Sequence, residues 1–226
     1  MGVLRVSVVA IVLGGLVQSA AAAEPPAFNQ WTGFYAGVAA GAGWGAAEQT
    51  DTSIFGPFTS GRYHTQGPIF GLSAGYNWQA GAIVIGAETD LSFAAIKGVQ
   101  DNPGTCINSR CDSEIQALGT LRGRLGVAWG EWLPFVSGGL AYAKLRGSEG
   151  PAPGLGGSGS IWVAGYTIGG GAEVKLGPQW SAKLEYLFVD LGNHEVWTNN
   201  LGFGVLAREN LDVTAHVVRI GINYRF

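Results

Sequence analysis

The stretch Asp212–Phe226, DVTAHVVRIGINYRF, alternates residue by residue and ends on an aromatic. Ile220, Ile222, Tyr224 and Phe226 fall on one face, and Arg219, Gly221, Asn223 and Arg225 on the other. A period of two marks a strand, because successive Cβ atoms of an extended chain point to opposite sides. A soluble protein rarely ends a strand on its most hydrophobic residue. This face is therefore expected to meet something other than water.

Working outward, alternation and turn residues divide the remaining chain so that eight strands are expected in all: Thr32–Trp44, Gly67–Trp78, Ala82–Ala94, Ile115–Trp129, Leu133–Leu145, Ile161–Leu176, Trp180–Leu191 and Leu211–Phe226. The connections at 45–66, 95–114, 146–160 and 192–210 are long and rich in Gly, Pro, Ser, Asn and Asp, whereas those at 79–81, 130–132 and 177–179 are short. Long and short alternate strictly. That order belongs to an even-stranded barrel with both termini on the short-turn side, and a β-sandwich has no reason to produce it. The expected fold is all-β, an eight-stranded antiparallel transmembrane β-barrel with long loops extracellular and short turns and both termini periplasmic.

Tryptophan placement points the same way. Trp31, Trp78, Trp129, Trp132 and Trp180 lie near the short-turn ends, and Trp44, Trp162 and Trp197 near the long-loop ends. Two belts of amphipathic aromatics at the lipid–water boundaries would give this distribution.

Facing can be assigned strand by strand. Trp180, Ala182, Leu184, Tyr186 and Phe188 oppose Ser181, Lys183 and Glu185; Leu121, Leu125, Val127 and Trp129 oppose Gln116, Thr120, Arg122 and Arg124. A charge on the lipid face near the midplane costs about 2–4 kcal/mol. Glu88, Asp90, Arg122, Arg124, Glu173, Lys175, Lys183, Glu185, Arg219 and Arg225 are therefore expected to point into the lumen. Glu88 and Asp90 should oppose Arg122 and Arg124 on the neighbouring strand, within a buried ionic network. An eight-stranded barrel is only wide enough for its own side chains, so the network is expected to act as a plug before it acts as an ion-selective filter.

Composition bounds the alternatives. The chain has 38 Gly, 8 Trp and only 13% charged residues, with mean hydropathy +0.20. This is too glycine-rich for a helix bundle and suits a protein whose outside faces lipid. The net charge of -3 gives no reason to expect nucleic acid or an acidic ligand. At the start, Arg5 precedes an apolar run, Val6–Val17, and the small residues Ala20–Ala23. This is the layout of a signal peptide over residues 1–23, cleaved after Ala23, with the barrel over 24–226. Crossing a bilayer as a helix takes about 20 apolar residues. Residues 63–87 and 150–172 lack Asp, Glu, Lys and Arg but are broken by Gly, Pro and polar side chains. An inner-membrane helical protein is thereby disfavoured.

WTGFYAGVAAGAGWG (Trp31–Gly45), LEYLFVDLG (Leu184–Gly192) and VVRIGINYRF (Val217–Phe226) resemble the opening, penultimate and closing strands of the small outer-membrane β-barrel proteins of alphaproteobacteria, the porin-family or outer-membrane immunogenic proteins. The resemblance covers essentially the whole mature chain. It implies an outer-membrane location, immunogenic surface loops, and a role in envelope integrity or contact with host components. Outer-membrane lipid and the barrel-assembly machinery are the implied partners. The outward Ile222, Tyr224 and Phe226 resemble the terminal signal that this machinery reads. Some relatives are described as haemin binders, but no residue motif carries that function here.

Other constellations carry less. Cys106 and Cys111, spaced C-x4-C in a long loop, are expected to form an intraloop disulfide in an exported chain. Asp112 alone does not make a metal site beside them. GLGGSG at Gly154–Gly159 matches a dinucleotide fingerprint by letter, but it follows Pro151 and Pro153 and lacks the strand–helix context, so it reads as a loop. His64, His194 and His216 are scattered; His64 and His194 are expected in loops on one side, as surface residues. Catalysis would need a convergent Ser, His and carboxylate set, and the spacing of His194, Glu195 and the loop serines is not specific for one. The expected function is a non-enzymatic, cofactor-free barrel protein that supports the envelope and displays loops. A small porin, and a surface receptor or adhesin binding a ligand such as haem through the loops, are the alternatives.

Overall fold

The computed structural model describes residues 30–53, 56–101, 110–149, 158–200 and 206–226. Within them run β1 (Gly33–Ser53), β2 (Gly56–Thr59), β3 (Tyr63–Ala80), β4 (Ile83–Asp101), β5 (Arg110–Val127), β6 (Trp132–Glu149), β7 (Ser158–Lys175), β8 (Trp180–Asn200) and β9 (Leu206–Arg225). β1 pairs with β3, each later strand pairs with the one before it, and β9 returns to β1 from Tyr35↔Arg225 to Thr52↔Arg208. The eight long strands therefore close into an antiparallel barrel. Closure removes the sheet edges, which lets every backbone amide find a partner inside lipid. Short β2 is not a stave: it folds back on the end of β1 from Thr50↔Thr59 to Ser53↔Gly56.

The strands outrun their predicted ends chiefly on the long-loop side, and by no more than two residues on the other. β1 continues past Trp44 to Ser53, β4 past Ala94 to Asp101, and β8 past Leu191 to Asn200. Gly, Ser and Asn in these stretches argue for loop on propensity, but a neighbour already in register supplies ladder hydrogen bonds that override it. At the other end the turns are tight. Gly81 (φ 61°) and Gly130 (φ 59°) provide the left-handed backbone there.

The molecule is inside out. Leu72, Phe93, Leu121, Leu140, Leu184 and Ile220 stand exposed on the outer wall, while the buried residues fill the lumen. Trp78, Trp129, Trp132 and Trp180 are exposed at the tight-turn end, and Trp44 and Trp162 toward the other. Trp31 departs from this belt. It is 0% exposed, inside the barrel mouth, because the chain enters the lumen before β1 begins.

Glycine makes the interior fit. Successive inward positions of β1 are taken by Gly37, Ala39, Gly41, Gly43 and Gly45. A Cβ at Gly43 would run into the Ile96 side chain, and one at Gly41 into the backbone of Val218 and Arg219. The thin strand leaves volume for bulky residues from its neighbours. One β-bulge also changes the facing: between Ile115 and Ala117 the register with β6 shifts, and Ile115 turns inward. Strict alternation placed Gln116 inside with Thr120; instead it reaches Glu114, 3.4 Å away.

Candidate functional site

Eight ionised side chains meet in the middle of the lumen, each with 4% exposure or less: Glu88 and Asp90 from β4, Arg122 and Arg124 from β5, Glu173 from β7, Lys183 and Glu185 from β8, and Arg219 from β9. Each sits there because alternation leaves a charge no other side of the strand on which to lie. The positive and negative charges are equal in number, so the layer is neutral as a whole.

Arg122 is the hub. Its Nη1 donates to Glu185 at 2.6 Å, and its Nη2 contacts both Glu88 and, at 3.1 Å, Asp90. Arg219 grips Asp90 bidentately at 3.0 and 2.9 Å and donates through Nε to Glu185 at 2.8 Å. Lys183 donates to both oxygens of Glu88 at 2.8 and 2.7 Å. Arg124 pairs with Glu173 at 2.9 Å, while the Tyr35 hydroxyl donates to Glu88 at 2.7 Å and accepts from Arg124 at 3.2 Å. Ser181 and Asn223 satisfy the second oxygen of Glu173 at 2.6 and 3.0 Å, and Thr120 donates to Asp90. Charges taken out of water need this degree of mutual satisfaction to persist.

Two apolar layers bracket the charges. On the long-loop side, Ile69, Ile96, Leu118, Leu145, Leu187 and Val189 belong to one contiguous buried cluster. On the tight-turn side, Trp31, Val84 and Leu133 form another. The arrangement is therefore that of a filled cylinder. Bidentate guanidinium–carboxylate geometry resists rearrangement, and each of the eight is paired with at least one other, with Arg122 Nε left without a hydrogen bond among the described residues.

The predicted network is corrected at two positions. Lys175 and Arg225 point inward but form no ion pair with the eight among the described residues. Both lie over the Trp31 ring, at 5.4 and 4.9 Å, and Arg225 also donates to the Gln30 carbonyl. They belong to the mouth, one layer below. Asn223 lies inside, on the polar face of the closing strand, as its alternation requires, whereas Tyr35 and Trp31 are interior residues that the strand reading did not single out. The inward parity of Tyr35 and Asn223 was readable, but their partners lie 53 and 50 residues away in sequence, and only barrel closure brings them together.

The remaining candidates are dispersed. Ile222 and Phe226 are exposed on the outer wall, and Tyr224 packs between the rings of Trp180 (5.0 Å) and Phe226 (5.3 Å). Cys106 and the side chain of Cys111 lie outside the described residues, as do the signal segment 1–23 and Gly154–Gly157. His64 and His194 stand on β3 and β8 rather than in loops, because the strands extend further than expected. His194 donates to the Leu191 carbonyl at 2.6 Å. His216 faces outward, 2.7 Å from the Tyr186 hydroxyl and stacked at 6.0 Å on Trp44. Among the described residues no group of three or more His, Cys, Asp or Glu could hold a metal ion.

Known proteins resemble the chain in sequence, and a solved structure resembles it in fold. The 31 kDa outer-membrane immunogenic protein of Brucella melitensis biotype 1 is 33% identical over 222 residues, covering 92% of this chain and 89% of its own. The 22 kDa outer membrane protein of Rhizobium leguminosarum bv. viciae is 29% identical, covering 88% and 79%. Among solved structures, the outer membrane protein OprG from Pseudomonas aeruginosa superposes with a TM-score of 0.52 at 13% identity, covering 86% of this chain and 96% of that one. That likeness shows the fold alone. With residues 8–226 matching the outer membrane protein beta-barrel domain, the chain belongs to that family of outer-membrane barrels.

Proposed function

We propose that this protein is a sealed, non-enzymatic barrel that supports the outer membrane mechanically and holds long loops at the cell surface, with the short turns and both termini in the periplasm. The observation that carries this reading is the filled lumen. An ion passing through would have to break the charged layer and also cross an apolar one. An eight-stranded barrel has no spare width in which to go around either. The same observation favours the sealed barrel over a small porin.

Orientation follows from assembly. Segments that link strands on the periplasmic side can stay short, while the connections at the far end are free to grow. Ile222, Tyr224 and Phe226 lie on the outer wall of the closing strand, accessible to assembly machinery before β9 meets β1. The deciding experiment is conductance in a planar bilayer, with gel mobility of heated and unheated protein as the check on folding. A heat-dependent shift without reproducible channels is the expected result. Discrete current steps from the folded species would overturn the sealed reading and make the charged layer a selectivity filter.

A further inference from the structure

The seam between β1 and β9 differs from every other junction of the wall. Each other neighbouring pair of long strands is joined by chain, through a tight turn or a longer connection. The first and last strands meet only through their ladder, from Tyr35↔Arg225 to Thr52↔Arg208. At the tight-turn end that ladder finishes against a short piece of chain inside the mouth. Gly33 (φ 135°) takes a backbone that other residues rarely adopt, and there residues 30–32 leave the wall for the lumen.

These three residues are held from both flanks of β1. From β9, Arg225 donates to the Gln30 carbonyl, and its guanidinium lies 4.9 Å from the centre of the Trp31 ring. From β3, Gln79 Oε1 accepts from the Trp31 amide at 2.9 Å, and the Gln79 amide donates to Thr32 Oγ1 at 3.0 Å. Gln79 Nε2 donates to the Gly81 carbonyl at 2.8 Å, which fixes that side chain to its own turn. The Trp31 ring shares one buried cluster with Val84 of β4 and Leu133 of β6. The segment therefore ties β9 to β3 behind β1 and leans on the far wall. The β1–β9 ladder is complete from Tyr35 upward without it. Two nitrogens of the tie, Trp31 Nε1 and Arg225 Nε, are buried without a hydrogen-bond partner, so seating it has a cost and it can withdraw while the strands stay paired.

We propose that Gln30–Thr32 is an internal clasp that locks the seam once β9 has paired with β1. It takes the place of the connection this junction lacks, and it governs how often the closed barrel reopens rather than whether it closes. A junction without a connecting turn is where a barrel opens first, because parting there breaks one row of backbone bonds and strains no turn. The open edges would then face lipid unpaired, which makes even rare opening harmful.

The test is hydrogen exchange read by mass spectrometry on the folded full barrel in detergent, comparing peptides from the seam strands (residues 34–45 and 217–226) with peptides from residues 133–145 of β6. Trp31→Ala and Arg225→Met are each expected to speed exchange in the seam peptides about tenfold and to leave those of β6 unchanged. The double variant should exchange no faster than either single one, because each alone already releases the clasp. Lys175→Met, which meets the same ring from β7, away from the seam, should exchange as wild type does. Unchanged exchange at the seam overturns the clasp, and so does equal acceleration in β6, which would mean a general loosening of the mouth. Additive effects of the two substitutions overturn the coupling between Trp31 and Arg225. Loss of the heat-dependent mobility shift in both single variants would make the segment a requirement of folding and not a lock.

Discussion

Arg122 concentrates the argument at the scale of the residue. Its guanidinium faces the carboxylates of Glu88, Asp90 and Glu185, so removing its charge strands three anions in a site sealed from water. Arg122→Met is expected to lower stability by about 3–5 kcal/mol, read as the shift in the urea unfolding transition in lipid vesicles. Lys175→Met, which loses a contact with the Trp31 ring and a half-exposed attraction to Glu131, should cost about 1 kcal/mol or less. Equal losses for the two would mean that water reaches the charged layer. That these charges point inward was legible in the sequence, because alternation and the cost of a charge in lipid leave one choice. Which anion each cation takes was not legible. It depends on side-chain reach across the lumen, and Arg219 finds Asp90 from 129 residues away.

Among the elements, β1 carries the clearest test. Gly41 faces inward against the backbone of β9, and its neighbour Ala42 is exposed on the outer wall. Gly41→Val is expected to abolish the folded, fast-migrating band on unheated gels, whereas Ala42→Val should leave it intact. The closing strand gives the complementary case. Ile220→Arg puts a cation on the lipid face midway between the belts marked by Trp180 with Tyr224 and by Trp44 with His216, and should cost about 2–4 kcal/mol in the same unfolding assay. Ile220→Val should cost little. Strand existence, order and facing were readable because lipid, lumen and turn each select different residues. Strand ends were not, and neither was β2, since polar residues above the belt pair by register rather than by composition. The bulge at Ile115/Ala117 left no mark in the pattern, because one extra residue inverts the facing without changing the letters around it.

For the whole molecule, the stacking of layers predicts redundancy. Trp31→Ala should open the tight-turn mouth but leave the barrel non-conducting in planar bilayers, because the charged layer and the Ile69–Ile96–Leu187 cluster remain in place. Steady current from that variant alone would show that Trp31 is the sole barrier. The redundancy has a further consequence. On the sealed reading proposed above, the cylinder would impose no leak on the cell however many copies are made, so its numbers would be limited by area rather than by loss of nutrients or entry of toxins. Such a protein could pave the envelope, and in the proposed orientation its loops would be what an antibody or a phage meets first.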